Sequence, residues 1–89
     1  MPKKQFTPVE RIQTGIRIEK RILKVLKALA EYRNMTLGDL VEGIVLHAFD
    51  GKGAFSTETL QQIKRLREIY QLDLFARDSH RLEERVQKR

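Results

Sequence analysis

The sequence has no cysteine among its 89 residues. Without cysteine there is no disulfide framework and no thiolate-bound metal, which weakly favours a reducing compartment. No apolar run approaches the length of a membrane span, and no signal peptide is recognisable. We therefore expect a soluble, cytoplasmic protein.

Groups suited to catalysis are also scarce. Only two histidines are present, His47 and His80, and no pair of catalytic side chains is recognisable. His47 falls near the apolar stripe of a predicted helix, which favours a structural or dimer-contact role over a ligand. Residues 50–53 contain two glycines and a lysine, but they lack the spacing and the preceding strand of a P-loop. The sequence thus predicts no enzyme, no cofactor and no metal site.

The length and the net charge narrow the class of protein further. A chain of 89 residues is one small domain and is marginal for a self-sufficient core. The net charge of +6 is uneven, because residues 1–33 carry +6, residues 34–54 carry −2 and residues 55–89 carry +2. This excess near the N terminus predicts a polyanionic partner, although a basic surface kept for solubility explains it about as well.

Residues 12–18 alternate between apolar and polar character. In a strand, one face would carry Ile12, Thr14, Ile16 and Ile18. The other face would carry Arg11, Gln13, Gly15 and Arg17. A lone strand cannot satisfy its own backbone in water. Since no second strand is evident, we expect residues 12–18 to pair with the same strand of a second copy.

Two helices are predicted to follow the strand. The first covers residues 19–33, and the second covers residues 37–49, each with apolar residues at helical spacing. Asn34 tolerates the left-handed conformation that ends a helix, and Thr36 is a good N-cap with Asp39 placed as in a capping box.

A flexible break separates this unit from the C-terminal residues. Ser56 is a predicted N-cap for a third helix that ends near residue 70, and we expect this helix to fold back on the second one through Leu46 and Phe49. A short final helix is predicted over residues 79–86.

The order strand, helix, capped turn and helix makes residues 11–49 resemble a ribbon-helix-helix domain, the fold of the Arc, MetJ and CopG type repressors. The resemblance rests on the alternating ribbon, the two apolar helix faces and the Asn34-Met35-Thr36 turn. The expected fold class is therefore mainly α, with one N-terminal strand paired across a homodimer and a C-terminal helical extension. The expected divisions are a basic arm at 1–10, the DNA-binding domain at 11–50 and the extension at 55–89.

The resemblance implies that the paired strands form an antiparallel ribbon in the major groove of double-stranded DNA. Base contacts then fall to Gln13, Gly15 and Arg17, where Gly15 departs from the side chain that the family usually offers. The residues expected to contact phosphates are Lys3, Lys4, Arg11, Lys20, Arg21, Lys24, Thr36, Leu37 and Gly38. The residues expected in the dimer core are Ile12, Ile16, Ile18, Leu26, Leu40 and Ile44.

Two functions follow from these expectations. The first is a sequence-specific transcriptional repressor that acts as a homodimer or as a higher assembly on DNA. The second is an antitoxin or other interaction component whose residues 55–89 bind a partner protein. An ordered cap such as Ser56 favours a folded extension and hence the first function, whereas a small toxin-like neighbouring gene would favour the second.

Overall fold

A computed structural model describes residues 6–85 of the chain. Within this range the regular elements are three α-helices and a short 3-10 turn. The helices are α1 (Lys20–Tyr32), α2 (Leu37–Phe49) and α3 (Thr57–Ile69), and the 3-10 turn is Ala76–Asp78. No helix of the described range is long and apolar enough to cross a lipid bilayer.

The predicted strand is absent. Residues 6–19 form neither a helix nor a strand, and residues 6–85 contain no strand at all. The ribbon-helix-helix fold predicted for the chain is therefore wrong here, although the described chain is mainly helical as expected. Alternation favours a strand when one face is buried and a neighbour completes the hydrogen bonds. Here Ile12 and Ile16 are 83% and 76% exposed, and residues 6–85 contain no other strand to complete the hydrogen bonds.

The helix ends follow the capping chemistry of the sequence. Glu19 is the N-cap of α1, and its Oε1 accepts hydrogen bonds from the N–H groups of Arg21 and Ile22 at 2.8 and 3.0 Å. Thr36 Oγ1 accepts from the Asp39 N–H at 3.1 Å at the start of α2. Asn34 ends the α1 turn with φ of 60°, the left-handed conformation that asparagine tolerates.

The third helix is capped as predicted but packs elsewhere. Ser56 Oγ accepts from the Thr59 N–H at 3.2 Å. α1 lies between the other two helices and contacts both, whereas α3 does not pack on α2. The expected docking of α3 on α2 through Leu46 and Phe49 is therefore wrong, and Phe49 is 80% exposed.

The core lies along α1. Leu29 is 1% exposed and forms a buried cluster with Ala30 and Leu40. The partly buried residues packed against this cluster are Leu26, Met35, Ile44, Phe55, Ile63 and Leu66. Since Arg33 at the end of α1 bonds to Thr59 at the start of α3, and Lys24 faces Tyr70 beyond its end, α1 and α3 run antiparallel.

Beyond α3, residues 70–85 contact the rest of the fold without forming a further α-helix. Leu72 is buried, and the Arg67 guanidinium lies 4.1 Å from the centroid of the Phe75 ring while it donates to the Leu74 carbonyl. The helix predicted over residues 79–86 is absent from its described part, 79–85. His80 has φ of 67°, which is incompatible with a helix at that point.

Candidate nucleic-acid interface

Three lysines lie on one face of α1. Lys20, Lys24 and Lys27 stand four and three residues apart, which places them on the same side of the helix, and all three are exposed. None of them forms an ion pair with another residue of the range 6–85. We call these residues the lysine stripe; its positive charge is available to an external anion. Sequence reasoning named Lys20 and Lys24 as phosphate contacts but omitted Lys27, although its spacing gave the signal.

Arg21, the neighbour of the stripe, has a different environment. Its guanidinium bonds to Glu19 at 3.0 Å, to the Gln71 carbonyl at 3.0 Å and to Asp73 at 2.8 Å. The hydrogen bond to Glu19 raises the pKa of Arg21, and the bond to Asp73 adds to this. The residue predicted to contact phosphate is thus engaged within the chain.

Arg11 is also engaged. Its Nε and Nη2 each lie 2.8 Å from one oxygen of Glu42 on α2, a two-point contact between a guanidinium and a carboxylate. The hydrogen bond, followed by the charge of Glu42, raises the pKa of Arg11, and the same hydrogen bond lowers the pKa of Glu42. The pair fixes the segment before α1 against α2, although both side chains remain exposed.

The predicted base-contacting residues lie in this same segment. Gln13, Gly15 and Arg17 are all exposed. Arg17 forms an ion pair with Glu84 of the C-terminal segment, and both side chains are largely exposed to solvent. A Cβ atom added to Gly15 would meet nothing within 4 Å, so its surface is open to a close partner. Base recognition by these three residues stays a prediction.

The N-terminus of α2 lies beside this segment, and a shallow groove is lined by Arg11 and Ile12 together with Thr36 and Gly38. The first hydrogen bond within α2 runs from the Leu40 N–H to the Thr36 carbonyl. The N–H groups of Leu37 and Gly38 come before it and have no partner within the helix, as expected at a helix start. Asp39 is exposed in the first turn, where its negative charge opposes an incoming phosphate.

The predicted dimer-core residues fall into two groups. Leu40, Leu26 and Ile44 belong to the core of a single chain or pack against it. Ile12 and Ile16 are 83% and 76% exposed among residues 6–85, and Ile18 is 40% exposed and so partly covered. Exposed apolar residues also occur on the C-terminal half of α2, at Val45, Leu46 and Phe49. Lys3 and Lys4, two further predicted phosphate contacts, lie outside the described residues.

Among residues 6–85, the His47 ring contacts its own helix. The ring nitrogen Nδ1 of His47 lies 2.7 Å from the Gly43 carbonyl, which can only accept, so Nδ1 carries the proton. Within residues 6–85 no group of three or more metal-ligating side chains is assembled. Comparison of the chain with protein-family models, characterised proteins and solved structures finds no match.

Proposed function

We propose that the protein binds double-stranded DNA as a homodimer, recognises a particular sequence and acts in the cytoplasm as a transcriptional repressor. The lysine stripe carries this proposal. Three exposed cations on one helical face, none paired with a carboxylate of the range 6–85, have the arrangement that phosphate groups favour.

Sequence recognition is assigned to the segment before α1. Gln13 and Arg17 are exposed, and these residue types bond in pairs to adenine and guanine edges, respectively. Arg17 is held by Glu84 in an ion pair that is open to water, where exposed pairs contribute little. A DNA base edge competes readily with such a partner. The α2 N–H groups of Leu37 and Gly38 then supply a phosphate contact beside the segment.

The homodimer accounts for the exposed apolar residues. Ile12 and Ile16 precede α1 and are largely exposed, and Ile18 is partly exposed. Val45 and Phe49 share one face of α2 because they stand four residues apart. Apolar side chains in such number outside the core are typical of a protein interface. A second copy offers the same residues in return, which suits a two-fold contact.

A selection from random duplexes tests the proposal. The full chain is mixed with a random duplex pool, bound DNA is separated by mobility shift, and the recovered sequences are compared. We expect a short sequence with internal two-fold symmetry, and binding that weakens steeply as salt is raised. If the recovered duplexes share no common sequence, specific recognition is contradicted. If the DNA affinity does not change with salt concentration, the role of the lysine stripe is contradicted.

A second function, binding of a protein partner through residues 55–89, is favoured by a separate observation. Leu60, Ile69 and Phe75 are 52%, 68% and 46% exposed on the extension. If Leu60 and Ile69 contact a partner, changing both to serine should abolish co-purification of that partner from the native source and leave DNA binding intact. An equal loss of both activities would show that the extension has no separate role.

A further inference from the structure

A groove of about 320 Å³ opens between α2 and the start of α3. It exists because both helices pack on α1 but not on each other. Its walls are mainly apolar, with Met35, Leu40, Ile44 and Phe55 among the lining residues. The volume lies at the lower end of the range that holds small molecules, roughly 300–1,000 Å³.

Two opposite charges line the same groove. Arg33 lies at the end of α1 and Asp39 lies in the first turn of α2. Neither side chain forms an ion pair with the other or with another residue of the range 6–85. Arg11 bonds to Glu42, and the charge of Asp39 makes only a smaller contribution to the raised pKa of Arg11. The groove therefore offers one cation and one anion, both unpaired among the described residues, beside an apolar wall.

The Arg33 guanidinium is held by α3. Its Nη1 donates to the Thr59 hydroxyl at 2.6 Å, and Thr59 is itself 3% exposed. A guanidinium has five N–H donors, so this bond leaves others for a carboxylate. Thr59 also accepts from the Ser56 hydroxyl at 3.2 Å, which fixes the acceptor that holds Arg33.

We propose that this groove binds an α-amino acid with an apolar side chain. The carboxylate is bound by Arg33, the ammonium group by Asp39, and the side chain contacts Leu40 and Ile44. A zwitterion satisfies both charges at once, whereas a simple anion would leave Asp39 opposed and a simple cation would leave Arg33 opposed. The proposal does not depend on DNA binding.

The test is a titration of the full chain with leucine, followed through the NMR signals of the Met35, Leu40 and Ile44 methyl groups. We expect saturable shifts of these signals. Three matched probes each lack one feature: 4-methylpentanoate has no ammonium, 3-methylbutylamine has no carboxylate, and alanine has almost no apolar side chain. Each should bind roughly ten- to hundredfold more weakly than leucine.

Variants assign the two charges. Arg33→Met should weaken leucine but not 3-methylbutylamine, and Asp39→Asn should weaken leucine but not 4-methylpentanoate. Gly43→Leu is designed to fill the groove, because Gly43 lines it and a Cβ at this position meets nothing within 4 Å. Its thermal unfolding is measured alongside to check that the fold is kept. Arg65→Met, an exposed position on α3 outside the groove, is the matched control and should change nothing.

Several results would overturn the proposal. These are the absence of saturable shifts with leucine, isoleucine, methionine or phenylalanine, and equal affinity for leucine and its two singly charged analogues. Leucine binding that survives Gly43→Leu would also overturn it, since the groove would then not be the site. Loss of DNA binding in any of these variants has no bearing on the outcome, because the readout is the ligand titration alone.

Discussion

Arg21 Nη1 lies 2.8 Å from Asp73 Oδ1, across 52 residues of sequence. The same guanidinium holds the Gln71 carbonyl and Glu19, the N-cap of α1. One side chain thus joins the start of α1 to the chain that leaves α3. Basic residues next to one another on α1 consequently have separate tasks, since Arg21 fastens the fold and Lys20 lies exposed on the surface.

This division predicts that substitutions at two neighbouring residues affect different properties, one the thermal stability and the other the DNA affinity. Arg21→Ala should lower the melting temperature by about 1–5 °C because it removes two ion pairs that are partly open to solvent and a hydrogen bond to a backbone carbonyl. Lys20→Ala should leave the melting temperature unchanged and weaken DNA binding. Both values are obtained by thermal unfolding and by titration of a duplex. A larger thermal effect for Lys20→Ala would contradict the assignment.

The packing of α3 gives a second prediction. Ile63→Ala and Leu66→Ala should each reduce the free energy of unfolding by roughly 1–3 kcal/mol, because both side chains are partly buried against the core of α1. Leu60→Ala, in the same helix but 52% exposed, is the control and should reduce it by less than about 0.5 kcal/mol. Urea unfolding measures all three. Equal losses would mean that α3 is not fastened through this face.

The helices could be predicted from the sequence because their signals are local. The apolar spacing and the caps Thr36 and Ser56 act over three or four residues, and the α2 bounds, Leu37–Phe49, agree with the prediction. The cap of α1 was less evident, since glutamate is not a favoured N-cap. Glu19 serves because its side chain accepts from two N–H groups and bonds to Arg21.

The strand and the packing of α3 could not be predicted in the same way. A strand depends on a partner that its own residues do not encode, and within residues 6–85 none is supplied for residues 12–18. The sequence shows that α3 has an apolar face, but it does not show whether that face packs on α1 or on α2. Only the three-dimensional arrangement decides between them. The prediction that Arg21 contacts a phosphate has the same origin. Its partner Asp73 is distant along the chain, so their contact is not visible in the sequence.

The cap of α1 should make stability depend on acidity. Burial alone would raise the pKa of Glu19, but hydrogen bonds from Ile22 and Arg21 outweigh it, and the pKa is lowered on folding. The stabilising contribution is therefore complete above the pKa of the unfolded chain, about 4.3, and is lost as the pH falls through the lower folded value.

Glu19→Gln should accordingly be less stable than the wild type at pH 6, by roughly 0.5–1 kcal/mol, and this difference should shrink as the pH falls below about 4.3. Melting temperatures measured across this interval give the comparison. Glu83→Gln is the control for removal of an acidic charge, since Glu83 is exposed, lies outside the helices and forms no ion pair within residues 6–85. A constant difference between wild type and Glu19→Gln at all pH values would contradict this explanation.

If the protein forms the proposed dimer, a substitution in the interface should prevent dimerisation without unfolding the chain. Ile16 is 76% exposed within one chain, so Ile16→Lys should leave the helices intact while it places a charge in the interface and prevents association. Gln13→Lys adds the same charge at an exposed polar position and is the control. Sedimentation at micromolar concentration should give a dimer for the wild type and the control, and a monomer for Ile16→Lys. A folded wild-type monomer would contradict the homodimer.

The last prediction separates base recognition from phosphate binding. Base contacts specify a sequence, whereas phosphate contacts mainly position and strengthen a complex. Arg17→Ala should therefore weaken binding to the selected duplex by roughly 1–3 kcal/mol and relax the preference at one base pair of each half-site. Lys24→Ala should weaken all duplexes about equally and reduce the salt slope by about one for each phosphate that the lysine no longer neutralises.

Both variants are titrated against the selected duplex and a scrambled duplex at several salt concentrations. Glu84→Gln is the matched control, because it frees Arg17 from its only ion pair in the range 6–85 without changing the arginine. If Arg17 reads a base, this control should bind the selected duplex at least as tightly as the wild type, since no internal carboxylate competes for the guanidinium. Equal losses of Arg17→Ala on both duplexes would show that Arg17 holds a phosphate and that sequence recognition resides elsewhere.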